Sequence, residues 1–307
     1  MPLQVASIIS MIFYVKYDTI RFLTFTGRFN EAREMIKLVY DKAERPNRIL
    51  DYIEVSSRKE TSTVTLKECF NTLEHKRATF IGLTIIIFHE LTGQNAIIMY
   101  SNQIFFRMNP EGTEGGLSPR AGTILVGVFN FLAHIPAIYL IKKLPRRVLL
   151  WGGHLGMGAC HLMVGVFSAA DNNGGMMAMI VLFIITYVIT NGPIIWLYVS
   201  EIVSDAALGF CLFVLWTLIL LLSLLTNFLM DVLTPKGVFW LFGLISLGGA
   251  WFTYHYAKET QGLSDKEKKT LYAQDYTVQD IRKINGQSRL LIFETGTPNA
   301  NTVNSSS

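Results

Sequence analysis

Charge is what this sequence has least of. Only 16% of its 307 residues are Asp, Glu, Lys or Arg, 50% are hydrophobic, and the mean hydropathy is +0.35. Soluble domains average about 25% charged residues, so a water-soluble globule is the wrong starting point. The scarcity is also local: residues 79–105 contain neither Lys nor Arg. Cysteine is almost missing. Cys69 lies in a charged stretch, Cys160 and Cys211 lie in or near apolar runs, and no disulfide framework is expected from them. Catalytic signatures are missing too. There is no nucleophile–base set, metal cluster or phosphate loop, so the chain is not expected to be an enzyme or to carry a cofactor or metal. His89-Glu90 opens the pattern of a zinc protease, but position 93, where the second His belongs, is Gly.

What is present are long apolar runs. A membrane-spanning helix needs about 20 such residues, and six runs qualify: 79–105, 121–141, 148–169, 177–200, 209–230 and 238–256. Turn-rich breaks separate several of them, at Met108-Asn109-Pro110, Asp171 to Gly175 and Leu233 to Gly237. The expected fold class is therefore an all-α membrane protein. A shorter apolar stretch, 3–15, is too short to span and lacks a basic start and a small-residue cleavage site. Residues 1–15 are read as the remnant of a preceding membrane helix and not as a signal peptide.

Lys and Arg set the expected topology. Residues 16–77, the loop 142–147 and the tail after Tyr256 hold 24 of them, and the intervening loops hold only Arg107, Arg120 and Lys236. Both termini are expected in the cytoplasm of a multi-pass protein, with the plasma membrane as the expected site. The basic pI of about 8.9 is then a topology signal and does not point to nucleic acid. The sequon Asn304-Ser305-Ser306 falls in the cytoplasmic tail and should stay unmodified.

The expected division is a helical cytoplasmic linker at 16–78, a six-span domain at 79–257, a helical tail at 258–294 and disorder at 295–307. In the linker, Ala32, Met35, Ile36, Val39 and Tyr40 recur at helical spacing from Arg28 to Tyr40, which predicts an amphipathic helix, and 47–55 is a second candidate. Ser264 with Glu267 predicts a capping box for a helix over 265–273.

Polar groups inside spans are costly and become candidate functional residues. The first span holds His89-Glu90-Leu91-Thr92-Gly93-Gln94-Asn95, which cannot face lipid, and Gly93 permits a break there. The fourth holds Thr190-Asn191-Gly192-Pro193, a second expected break. If the spans form two inverted triplets, the first span of each is the interrupted one, which points to a transport site. Asn130 and His134 share a helix face, where lining a pore and bonding a neighbouring helix are equally good readings. Gly152 and Gly156 have the spacing of a helix-packing pair. An isolated carboxylate in mid-membrane is disfavoured as an anion, so Glu90 is expected to face a cavity, neutral or beside a His.

Five stretches in order resemble the sugar porter family of the major facilitator superfamily, specifically its C-terminal six-helix half. They are Asp18 to Phe29, His89 to Ser101, Lys142 to Arg147, Gly192-Pro193-Ile194-Ile195-Trp196, and Glu259-Thr260-Gln261-Gly262. The resemblance covers about residues 15–275. It implies a fold of two inverted three-helix repeats with short cytoplasmic helices. It also implies hexose transport by a truncated or half transporter that need not be active alone. The implied substrate-binding set is His89, Glu90, Asn95, Asn130, Trp196 and Trp216, with Asn95 and Asn130 bonding sugar hydroxyls and Trp196 packing on the ring. The implied gate is Arg146, Arg147, Glu201 and Glu259. Implied partners are a small-molecule sugar, the bilayer, and an N-terminal half or a second copy. Several positions depart from the pattern. The two expected Gln are His89 and Glu90, the Asn beside Trp216 is Leu215, the acidic residue of the 142–147 loop is Lys142, and the Arg between the tenth and eleventh helices is absent. These departures favour the alternative of a non-transporting sensor or assembly partner that keeps the fold.

Overall fold

A computed structural model describes residues 18–39, 64–108 and 118–273. The stretches 1–15, 47–55 and 295–307, with the sequon, lie outside the described residues. Two units are distinguished, 1–63 and 64–307.

The described part of the first unit is a helical hairpin, α1 (Ile20–Phe25) and α2 (Phe29–Val39). Thr19 caps α1 by accepting from the Phe22 N–H, and Arg28 bridges Asp18 and Glu31 at the turn. The amphipathic reading of 28–40 matches α2 in part: Ala32 and Ile36 are buried with Leu23, Val39 is exposed, and Tyr40 lies outside the described residues.

The second unit is all-helical in its described residues. α3 (Leu66–Asn71) starts on a capping box from Thr65 and Glu68. It leads into α4 (Leu73–Glu90), α5 (Gln94–Met108), α6 (Pro119–Lys143), α7 (Arg146–Ala169), α8 (Asn173–Ile189), α9 (Asn191–Ile202), α10 (Asp205–Tyr256) and α11 (Asp265–Thr270). Five continuous stretches are long and apolar enough to cross a membrane: His75–Phe106, Pro119–Lys143, Arg146–Ala169, Asn173–Ile202 and Asp205–Tyr256. The last is 52 residues long, which at about 1.5 Å per residue is more than twice the hydrocarbon thickness. Thr234 divides it. Its backbone is non-helical (φ 58°, ψ 161°) ahead of Pro235, so α10 is two arms, 205–233 and 235–256. Thr226 and Met230 of the first arm and Val238 and Phe242 of the second line one apolar cleft beside Ile97, so the arms fold back toward each other. The six apolar runs read from hydropathy all fall within these five stretches, the last two on the two arms of α10.

α7 is the central strut and packs against α8, α9 and α10. It also corrects one sequence reading. A Cβ on Gly152 would meet nothing, so Gly152 is not a packing residue. Gly156 of the expected pair does make a close approach, since a Cβ there would sit 3.0 Å from Thr186, but the second close approach is at Gly153, where a Cβ would meet Thr190 Oγ1. The choice between Gly152 and Gly153 turns on helix phase, which is fixed by partners that the local sequence does not show.

Two apolar clusters fill the bundle. One gathers Ile85, Leu150, Ile194, Tyr198, Val199, Leu215, Leu271 and Tyr272 at the Lys/Arg-rich end. The other gathers Ile97, Phe105, Met157, Val164, Phe183, Phe239 and Phe242. Large apolar side chains remain outside, among them Phe131, Ile135 and Ile138 on α6 and Phe213, Leu224 and Phe228 on α10. Water would make such faces aggregate; for an integral multi-pass membrane protein they are the ordinary lipid-facing surface.

Candidate functional site

The first span breaks where the polar run predicts. α4 ends at Glu90, Leu91-Thr92 turn, and Gly93 takes φ +79°, a left-handed conformation that favours glycine. The break leaves the Thr92 carbonyl without a helical partner, and His161 Nε2 of α7 donates to it at 2.9 Å. Non-helical backbone at membrane depth is tolerated where protein groups satisfy it, and His161 does so here.

The fourth span breaks at Thr190 (φ −115°, ψ −90°), between α8 and α9. Gly192-Pro193 falls in the first turn of the new helix, where the missing proline N–H costs nothing. α7 supports this break as well. His154 Nδ1 donates to Leu150 O at 2.9 Å and faces the Asn191 amide at 2.5 Å. With the amide oxygen turned to His154, Asn191 Nδ2 donates to the carbonyls of Leu149 and Leu150 (3.2 and 3.1 Å). His154 and His161 are both fully buried and stand two turns apart on α7, one at each break. Sequence reasoning missed their role. The seven-residue spacing was visible, but the partners on α9 and in the first break were not.

Around the first break the structure brings three expected residues together. Asn95 Nδ2 donates to Glu90 Oε2 at 2.8 Å, and His89 Nε2 lies 3.7 Å from Glu90 Oε1. Tyr187 of α8 stacks on the His89 ring at 5.5 Å, with its hydroxyl 3.3 Å from Nε2. Glu90 is the only Asp, Glu, Lys or Arg in the six apolar runs. One expectation is corrected: His89 and Glu90 are each 3% exposed, so they do not face an open cleft. The reason is local packing: Asn95 bonds the Glu90 carboxylate and Tyr187 stacks on the His89 ring, although His89 Nδ1 finds no partner among the described residues.

Asn130, Trp196 and Trp216 are not gathered with this group by any hydrogen bond or ring contact among the described residues. Asn130 is half-buried on α6, and its carbonyl accepts from His134 Nδ1 at 2.8 Å. His134 thus bonds its own helix, which is neither reading offered above. Trp196 on α9 and Trp216 on α10 are 42% and 65% exposed and form open apolar surface. Leu215 beside Trp216 is buried in the core, so no polar group is lost from an open wall at that position.

The second group lies at the Lys/Arg-rich end, where the four expected gate residues meet. Arg146 pairs with Glu201 through Nη1, which also donates to Thr260 Oγ1 (3.1 Å). The Glu259 carboxylate accepts from the backbone N–H groups of Arg146 and Arg147 (3.1 and 3.0 Å), the N-terminus of α7. A carboxylate on a helix N-terminus meets free N–H donors and the positive end of the dipole. Arg147 Nη2 donates to Tyr254 O at 2.5 Å. Lys142 is exposed, and its carbonyl accepts from Gln261 Nε2 at 3.2 Å. Two residues not anticipated complete the group. Lys268 Nζ pairs with Glu201 at 2.9 Å, and Lys269 Nζ donates to Ser200 O (3.0 Å) and to Val203 O at the end of α9.

Beside them the hydroxyls of Tyr198 and Tyr272 lie 2.6 Å apart, and the Lys258 N–H donates to both (3.0 and 2.8 Å). Burial pushes the Tyr272 phenol up to about 12. An unfolded tyrosine ionises near pH 10, so the folded chain holds this proton longer. The stabilisation is full below about pH 10 and is lost as the pH rises toward 12. Tyr272→Phe is expected to cost roughly 1 kcal/mol at neutral pH and to flatten part of the alkaline loss in a melting series. An alkaline limb identical to the wild type would contradict this.

Known proteins agree with the geometry. Residues 1–272 match the family described as Sugar (and other) transporter. The glucose transporter GlcP of Staphylococcus epidermidis is 28% identical over 265 residues, 83% of this chain and 57% of that protein. Hexose transporter 1 of Plasmodium falciparum is 22% identical over 272 residues, 85% of this chain and 53% of that one. The chain thus spans about half the length of the curated relatives it matches. Among solved structures, the proton:xylose symporter XylE bound to 6-bromo-6-deoxy-D-glucose aligns with a TM-score of 0.68 at 21% identity, covering 85% of this chain and 56% of that one. The inward-open XylE from E. coli aligns with a TM-score of 0.61 at 19% identity, covering 85% and 53%. At these identities the structures establish the fold, that of the major facilitator superfamily. The chain belongs to the sugar (and other) transporter family.

Proposed function

We propose that this chain is a six-span unit of a transporter that moves a hexose-like sugar across a membrane. The observation that carries the reading is the pair of interrupted spans, each opening one three-helix repeat and each supported by a histidine of α7. Relatives named for glucose, hexose and trehalose transport support the substrate class. Asn95, Asn130, Trp196 and Trp216 are proposed to meet the sugar, with His89 and Glu90 setting the shape of the first break from behind. Arg146, Arg147, Glu201 and Glu259 are proposed as the inner gate. The Lys/Arg distribution supports cytoplasmic termini and a cytoplasmic linker and tail, and the plasma membrane is the proposed site. Six spans offer one wall of a site between two such units, so an N-terminal six-span half or a second copy is the proposed partner.

The second reading, a sensor or assembly partner that keeps the fold, is favoured by one observation: His89 and Glu90 are buried against Tyr187 and Asn95 instead of presenting themselves to a solute. Ligand-dependent stability separates the two. A sugar that binds the folded chain raises its unfolding temperature by mass action. In lipid nanodiscs, D-glucose is expected to raise it more than L-glucose at equal concentration, and Trp196→Ala is expected to abolish the difference. Equal shifts for the two enantiomers in the wild type would favour the non-transporting reading.

A further inference from the structure

α9 is mechanically separate. Thr190 interrupts the chain ahead of it, and twelve residues, Asn191–Ile202, follow as one straight piece. Its far end carries Tyr198, Ser200 and Glu201, and its middle carries the exposed Trp196. A rigid segment hinged at one end is positioned by whatever holds the other end.

Tyr198, Val199 and Ile202 pack that end into the apolar cluster, and its polar partners come mainly from the segment after the last span. Lys268 pairs with Glu201 at 2.9 Å, Lys269 donates to the Ser200 and Val203 carbonyls, and Tyr272 and Lys258 bond the Tyr198 hydroxyl. Arg146, the other partner of Glu201, is itself tied to Thr260 and Glu259 of the same segment. Leu271 and Tyr272 are buried in the apolar cluster beneath, which fixes the strap in place, and Ser264 and Glu267 cap the short α11 that presents the two lysines. The Lys268 and Glu201 side chains are 13% and 11% exposed, so salt screens this pair less than a surface pair but does not fail to reach it. Lysines at a helix C-terminus also meet the free carbonyls and the negative end of the dipole.

We propose that residues 258–272 form a strap that sets the position of α9, with Lys268 as the positioning residue that acts on Trp196 through Glu201. The proposal deepens the reading of Arg146, Glu201 and Glu259 as a gate and rests on it, but its test needs no sugar, so the two fail separately. Removing the tail cation weakens the polar hold on the inner end of α9, while the apolar packing of Ile194, Ile195, Tyr198, Val199 and Ile202 stays in place.

The test is amide hydrogen exchange of the full chain in nanodiscs, in wild type, Lys268→Ala, Lys268→Arg, Glu201→Gln and the Lys268→Ala/Glu201→Gln double variant. Lys268→Ala is expected to speed exchange over 198–202 about fivefold, with the double variant no faster than the faster single one, as two members of one interaction require. Lys268→Arg is expected to restore slow exchange. Added salt is expected to speed exchange over 198–202 in the wild type and to do so less in Lys268→Ala, where Glu201 keeps only its Arg146 pair, a response that simple loss of packing does not produce. Loosening confined to 264–271 with 198–202 unaffected would overturn the proposal. So would Lys268→Arg behaving like Lys268→Ala.

Discussion

Gly93→Ala is expected to be among the most damaging single-methyl changes available in this chain, lowering stability by about 2–6 kcal/mol. Two independent costs add. The backbone at position 93 has φ +79°, which for a residue with a Cβ costs about 1–3 kcal/mol. The new Cβ would also stand 2.4 Å from Cδ2 and 2.5 Å from Cε2 of Phe242, a ring held in the core on the second arm of α10, and such overpacking costs about 1–3 kcal/mol. The costs can be separated because only one depends on the ring. Denaturant unfolding in micelles should show that the cost of Gly93→Ala, measured against Phe242→Ala alone, falls to the backbone part once the ring is gone. A Gly93→Ala variant as stable as wild type would mean that the turn at 91–93 and the ring above it are not arranged as described. The change also reaches function. The turn places Thr92 O against His161 and Asn95 against Glu90, so a shifted turn disperses the polar group that defines the first break.

The legible and illegible parts of this architecture divide along a physical line. Spans are legible because a bilayer imposes length and apolarity on each segment separately, and each helix satisfies its own backbone. The breaks are legible for the same local reason: a polar run around Gly93, a Gly-Pro pair after Thr190, and a turn sequence around Thr234. Even there the position slips, because Pro193 begins a helix where it was expected to interrupt one. Contacts between segments are a different matter. That His154 serves Asn191 and His161 serves Thr92 depends on the pitch and rotation of α7 against helices far along the chain. The mistaken choice of Gly152 over Gly153 is the same error of rotation. Glu90 was legible as an oddity by residue and depth, yet its burial under Asn95 and Tyr187 required the fold. Lys268 is the clearest case. In sequence it is one of several lysines on a polar helix, and only the folded strap brings it to Glu201.

The second large effect concerns transport itself. A sugar held between two six-span walls must lose contact on either side when one wall is absent, so residues 1–307 reconstituted alone are expected to give no stereoselective uptake above empty liposomes. With an N-terminal six-span half of a relative in the same bilayer, both walls are present and uptake is expected to appear. Trp196 is the informative position on this wall. Being 42% exposed, it can be replaced without opening the core, whereas truncating Asn95 would also leave Glu90 without its donor. Loss of the indole face against a sugar ring is expected to lower uptake about tenfold in Trp196→Ala, the equivalent of about 1.4 kcal/mol of apolar contact. The deciding measurement is therefore the uptake of radiolabelled D-glucose and L-glucose into liposomes holding this chain with that N-terminal half. Saturable uptake of the D form over the L form, weakened by Trp196→Ala, is the expected result. Equal entry of both enantiomers at the rate of empty liposomes, with the chain shown to be folded by its exchange protection, would contradict sugar transport as its function.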